Sequence, residues 1–232
     1  MSPRNRNRVQ GDLLETIKQT AWQQIAQYGA PALSLRAISR ELRITAPAIY
    51  NYYPRRDDLV TALIIDAYTS FGDSQLAARD DVPASDLLGR LMAIGVAYRQ
   101  WALKHPQRYQ LIFGTPIPGY QPPVEKIMPA GSRSLAVLVE TVVALRAAGK
   151  LRAEDFPQVM PGHKVEFDLW RQYTGDSDLP SLSVSLLIWT RVHGLVSLEI
   201  AGNLPPFGPD GAALYQYELE SIRQQFFPEA TK

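Results

Sequence analysis

Residues 45–56 of this 232-residue chain read TAPAIYNYYPRR, and they hold more recognition chemistry than any comparable stretch. The Asn51 side chain can donate and accept together on a base edge, and the Ala48 methyl can meet the methyl of thymine. Pro47 and Ala48 are small enough to bring a helix close to its target. The hydroxyls of Thr45, Tyr50 and Tyr52 can reach phosphate oxygens. Arg56 opens the next helix, where exposed backbone amides also favour a phosphate. Covalent or metal chemistry finds no comparable set. The histidines His105, His163 and His193 have no paired-ligand spacing, cysteine is absent, and there is no HExxH, G-x-S-x-G, P-loop or Rossmann glycine pattern. No catalytic residue, metal or cofactor is expected.

For these residues to act together they must be held on one helix. Apolar residues recur at helical spacing almost throughout and strand signals are weak, so the reading is all-α. A first helix runs from about Asp12 to Tyr28, with Leu14, Ile17, Ala21 and Ile25 on one stripe and Gly29 as its stop. Ser34 caps a second helix with Leu35, Ile38 and Leu42 inward. Thr45 caps a third through its hydroxyl, with Pro47 in the first turn, where a missing N–H costs little. Two helices joined by Arg43, Ile44 and Thr45 match a helix-turn-helix over about residues 34–53, whose second member enters the major groove. In that pose Ala46, Ile49 and Tyr53 face inward, and Pro47, Ala48 and Asn51 face out.

Further helices are expected from Arg56 to about Leu76, from Pro83 to His105, and from Gln107 to Phe113. Others follow at Ser132–Ala148, around Val165–Tyr173, at Pro180–Ala201 and at Gly211–Phe227. The polar break Arg79–Pro83 is the best linker. Gly114–Gly131, with five prolines, reads as one long loop that could close over a pocket. With 46% hydrophobic residues the chain can bury a real core. No run approaches the roughly 18–20 apolar residues of a membrane span, and no secretory leader is visible, which points to the cytoplasm and no membrane partner. Net charge is +1, yet residues 1–60 carry +4 against −3 for the remainder. Positive charge gathered at one end suggests an anionic partner there.

The run Ala37-Ile38, Leu42, Ile44-Thr45, Ala48 through Pro54 and Arg56 through Leu59 resembles the signature of the TetR/AcrR family of bacterial transcriptional regulators, over about residues 9–72. The resemblance implies a three-helix DNA-binding domain in residues 1–78 and a larger all-helical domain in 79–232 that binds an effector and dimerises through its last two helices. It implies a homodimer on double-stranded DNA, most simply a repressor. Arg56 stands where lysine is usual and keeps the charge, and Ser34, Thr45, Pro47, Ala48, Tyr50, Asn51 and Tyr52 would line the DNA. Arg4, Arg6 and Arg8 resemble an arm that reaches a minor groove or lies along phosphates; a solubilising tail is the alternative. The tract Leu186–Pro205 resembles the Trp-His-Gly subclass, through Trp189, His193 and Gly194. The pocket of a largely apolar small molecule would draw on Tyr98, Trp101, Tyr109, Phe113, Tyr120, Trp170 and His193, although aromatic stripes are usually core and a buried histidine is usually a hydrogen-bonded core residue. The rival readings are a helix-turn-helix kept for protein interaction, and a small helical enzyme.

Overall fold

The computed structural model describes residues 3–152, 164–175, 177–205 and 211–227, with the side chains of 3–12 and 164–166 left aside. His163 lies outside this set. Every regular element among the described residues is helical: α1 (Pro3–Tyr28), a short 3-10 turn (Ala30–Ala32), α2 (Leu35–Glu41), α3 (Ala46–Tyr50) and α4 (Arg56–Asp80) are followed by α5 (Leu87–Lys104), α6 (Pro106–Phe113) and α7 (Val124–Gly131). Then come α8 (Arg133–Ala147), α9 (Lys164–Thr174), α10 (Leu179–Ile200) and α11 (Ala212–Phe226).

Three boundaries differ from the sequence reading. Helix α1 begins at Pro3 rather than near Asp12: Gly11 reads as a break but costs an interior position only about 1 kcal/mol relative to alanine. The backbone of the expected arm is therefore helical, and the side chains of Arg4, Arg6 and Arg8 lie outside the described residues. Helix α5 starts at Leu87, capped by Asp86, whose carboxylate accepts from the Gly89 amide at 2.9 Å. The expected loop at 114–131 contains α7. Its first turn hangs on the Pro123 carbonyl, which accepts from Lys126 and Ile127, and it tolerates Pro129 inside the helix.

The chain divides into two compact units, Met1–Ala67 with Gln107–Ile127, and Tyr68–Pro106 with Met128–Lys232. The first is centred on Ile17, Ile38, Ile49, Leu59 and Leu63, all with no exposed surface. Lys18 on α1 pairs with Asp66 on α4 at 2.6 Å, the Arg108 guanidinium lies 5.1 Å from the centre of the Trp22 ring, and Tyr120 shares a hydrogen bond with Thr61 at 2.9 Å. The second unit packs α8 against α5, α9 and α10, and α10 against α11. Phe71 sits between Tyr98 and Trp101, with ring centres 4.7 and 4.8 Å away. Arg99 grips Glu199 through two hydrogen bonds of 2.6 and 2.8 Å and faces the Tyr215 ring. Arg191 ties α10 to α11 through Glu218, Ser221 and Gln225.

One helix, α10, does have the length and mean hydropathy, 1.3, to cross a bilayer, contrary to the sequence reading. Its apolar residues serve two sides. Leu182, Val184, Ile188, Val192 and Val196 are buried in the protomer, while Leu187 and Leu198 stand out from it.

Candidate DNA-reading surface and ligand cavity

The turn that aims α3 is fixed by backbone hydrogen bonding. The Ile44 amide donates to the Ser39 carbonyl at 3.0 Å and the Arg43 amide to the Arg40 carbonyl at 3.2 Å, the paired bonds that close a helix through a left-handed residue. That residue is Arg43, the one non-glycine at positive φ, 53°, among the described residues. A side chain there costs about 1–2 kcal/mol, so neighbouring packing holds the turn in place: Ser39 is buried beneath it and Ile49 anchors α3 with no exposed surface. No sequence signal marks Arg43, because glycine is what a left-handed position ordinarily shows.

Helix α3 starts with Pro47 in its first turn and ends at Tyr50, with Asn51 as its C-cap three residues before Pro54. Pro47, Tyr50 and Asn51 are exposed, Ala48 and Tyr52 half-buried, Ile49 and Tyr53 buried. Burial, reinforced by the Asp66 and Glu15 carboxylates, pushes the Tyr53 phenol up to about 12, so it stays neutral. Ala46 is exposed rather than inward; the Cβ of a first-turn residue leans toward the helix start, beyond the surface that Ile49 covers.

Two expected roles shift. The Thr45 hydroxyl makes no capping bond, so it adds an exposed hydroxyl at the tip of α3 while Pro47 starts the helix. The Ser34 hydroxyl does cap, accepting from the Ala37 amide at 3.3 Å. The Arg56 guanidinium is turned inward: Nη2 donates to the Ala30 and Pro31 carbonyls, both at 3.2 Å, and Nε is buried without a hydrogen-bond partner. Arg56 thus fastens the 3-10 turn that follows α1 to the start of α4. Arg55 is exposed and paired with Asp58, whose carboxylate also takes the Arg55 backbone amide at 3.0 Å. That arrangement is half of a capping box at the start of α4. The Arg55 guanidinium holds the Asp58 carboxyl below its ordinary range.

The second unit encloses a cavity between α4, α5, α8, α10 and α11, with about 420 Å³ of empty volume counting its open mouth. Leu91, Ile94, Leu138, Ile188, Leu219 and Ile222 form most of its wall. Met92, Val192 and Trp189 add to it, Gln75, Ser134 and Tyr98 are its polar members, and among the described residues no lining residue is charged. Gly95 admits α11: a Cβ there would meet Leu219 at 2.7 Å.

Of the seven residues expected around a ligand, only Tyr98 lines this cavity. His193 supports it from behind. Nδ1 hydrogen-bonds the Tyr98 hydroxyl at 2.8 Å, and its ring stacks on Trp189 with centres 4.9 Å apart. Burial lowers the His193 pKa, which keeps the imidazole neutral. The Trp-His-Gly tract therefore supplies one wall residue and the brace of another. Trp101 is buried core instead, with its indole N–H on Ser70 at 3.0 Å. Tyr109, Phe113 and Tyr120 belong to the first unit, where Tyr109 and Phe113 pack at 5.0 Å. Trp170, half-buried on α9, is not among the lining residues. Sequence spacing does not separate core aromatics from cavity aromatics, because both share the same periodicity. Residues 114–127 of the expected loop belong to the first unit, and the cavity belongs to the second.

A short, outward-facing helix fixed by a turn to a capped partner is the arrangement of a helix-turn-helix DNA-binding unit. Comparison with known proteins gives the family. Residues 17–63 match the bacterial regulatory proteins of the tetR family, and residues 91–222 match the tetracyclin repressor-like C-terminal domain. An HTH-type transcriptional regulator of Mycobacterium bovis is 36% identical over 182 residues, covering 77% of this chain and 76% of its own, and a regulator of Mycobacterium tuberculosis matches equally. Among solved structures, the regulatory protein SCO4313 has a TM-score of 0.76 at 38% identity, covering 95% of this chain and 98% of that one. A protein of unknown function from Rhodococcus sp. RHA1 shares the fold, with a TM-score of 0.71 at 19% identity over 92% of this chain and 94% of that one. The chain belongs to the TetR family of transcriptional regulators.

Proposed function

We propose that the protein is a repressor that binds a palindromic operator as a homodimer and leaves it when a small, largely apolar molecule occupies the cavity of the second unit. The carrying observation is the outer face of α3, where Pro47, Tyr50 and Asn51 are exposed together on a helix held from beneath by Ile49 and Tyr53. Pro47, Ala48 and Asn51 read bases, while Thr45, Tyr50 and Tyr52 reach phosphates, with Ser34 at the start of α2 and Arg4, Arg6 and Arg8 supplying flanking contacts. Arg56 acts mainly by positioning. The DNA-reading role falls to residues 1–78 and the effector and dimer roles to 79–232. Such a protein works where the chromosome is, in the cytoplasm.

Support for a dimer through α10 and α11 comes from what the protomer leaves uncovered. Leu187 and Leu198 on α10 are 44% and 43% exposed, and Tyr217 on α11 is 73% exposed. Gly194 lies between Leu187 and Leu198 in mid-helix, and among the described residues nothing comes within 4 Å of a Cβ built there. An interior glycine costs about 1 kcal/mol relative to alanine, and close approach by a second copy gives it a use. Selection of bound sites from a random DNA pool tests the whole reading. A two-fold symmetric consensus with half-sites one or more helical turns apart is expected. A single unsymmetric half-site would exclude the dimeric mode, and no enrichment at all would exclude operator binding.

A further inference from the structure

The cavity wall contains one feature that packing does not require. Gln75 on α4 and Ser134 on α8 are 1% and 6% exposed, and they bond each other in both directions. The Gln75 Nε2 donates to the Ser134 Oγ at 2.8 Å, and the Ser134 hydroxyl donates to the Gln75 Oε1 at 3.0 Å. The remaining Nε2 proton goes to the Phe71 carbonyl at 3.2 Å. All three donors are thereby used. An amide oxygen and a hydroxyl oxygen each accept two hydrogen bonds, so each retains one acceptor position, and both residues belong to the cavity wall. A buried neutral pair of this kind gains little net stability, and apolar residues of the same shape could replace it at little cost. Its position in the wall is better explained by what enters the cavity.

The other polar wall group, Tyr98, is engaged with His193. With no charged residue in the lining among the described residues, a carboxylate or ammonium would be desolvated there without a counter-charge, which is costly. A carboxylate would also face the open lone pairs of Gln75 and Ser134. A hydroxyl suits them, because it can donate to either oxygen and can accept in turn when the Ser134 hydroxyl rotates.

We propose that the cavity takes a neutral, mostly apolar molecule bearing a hydroxyl group, and that Gln75 and Ser134 select that hydroxyl. This rests on the reading of the cavity as the effector site, and it names the chemical class of the effector. Met92, a flexible side chain at the cavity, lets skeletons of somewhat different shape be accommodated.

The test is calorimetric titration of the full-length protein, without DNA, against four probes on one ring: cyclohexanol, methylcyclohexane, cyclohexanecarboxylate and cyclohexylammonium. The expected ranking puts cyclohexanol about tenfold above methylcyclohexane, the worth of one buried hydrogen bond, with no measurable binding of either ion. In the double variant Gln75→Leu, Ser134→Ala, the alcohol and the hydrocarbon should bind equally. If that variant does not fold, the ranking on the parent protein decides alone. Carboxylate binding as tight as the alcohol, equal binding of alcohol and hydrocarbon by the parent, or no binding of any probe would each overturn the proposal. Operator release by cyclohexanol is followed separately by fluorescence polarisation. Binding without release would remove the effector reading and leave the hydroxyl site standing.

Discussion

The α3 surface and the cavity, the two proposed recognition sites, are built in opposite ways. The α3 surface comes from one run of twelve residues whose outward side chains are the proposed readers and whose inward ones, Ile49 and Tyr53, hold it down. The cavity takes its wall from five helices, from Gln75 to Ile222, and its proposed readers, Gln75 and Ser134, are buried in the core. A surface site can tolerate substitution of a reader without loss of the fold. A cavity site makes the same residues answer for binding and for packing.

The comparison can be strained at several points, from the largest effect to the smallest. Ile49→Ala removes the anchor of α3, and loss of a fully buried aliphatic group costs about 2–5 kcal/mol. Urea unfolding should register that loss and operator affinity should fall with it, while cyclohexanol binding persists at low denaturant. Joint loss of both activities would mean that the two regions are not separable. Asn51→Ala should leave the unfolding midpoint within about 0.5 kcal/mol of the parent. The same variant should lose about 1–3 kcal/mol on the selected operator and little on random DNA, as expected of a residue that reads a base. An equal loss on both DNAs would make Asn51 a phosphate contact.

Arg43→Gly relieves the left-handed turn and should stabilise the protein by about 1–2 kcal/mol, read as a raised melting temperature. No gain would show that the side chain repays its own strain. The smallest effect belongs to His193. Burial lowers its pKa from the model-compound value of 6.5, so the unfolded chain takes up the proton first as pH falls. Its contribution to stability is complete above about pH 7 and declines as pH drops through and below 6.5. The melting temperature of the parent minus that of His193→Gln should follow that course, and a flat difference would mean that the imidazole is equally solvated in both states.

The same contrast explains what could be read in advance. The α3 surface was legible because outward polar residues on an amphipathic helix break the apolar period, and Ser34 and Pro47 announce helix starts by type alone. The inward turn of Arg56 was hidden, since a carbonyl-bound arginine and a phosphate-bound one look identical in sequence. Arg43 was hidden by being the wrong residue for its φ. In the cavity, Tyr98 was legible only as one aromatic among several. Trp101 follows it by three residues and yet fills the core, a distinction set by how α5 is rotated against α4 and α8. Gln75 and Ser134 carried no signal, because they come together across 59 residues.

The division of the chain also limits how such a protein can be taken apart. The DNA-reading unit includes 107–127, so a fragment ending near residue 80 would strip the Thr61 hydroxyl of Tyr120 and uncover the ground under Tyr109. Swapping readers between relatives as a single amino-terminal cassette would carry the same defect. Chimeras that graft a new DNA specificity onto this ligand response should exchange two pieces at once, or replace only the outer residues of α3 and leave the scaffold intact.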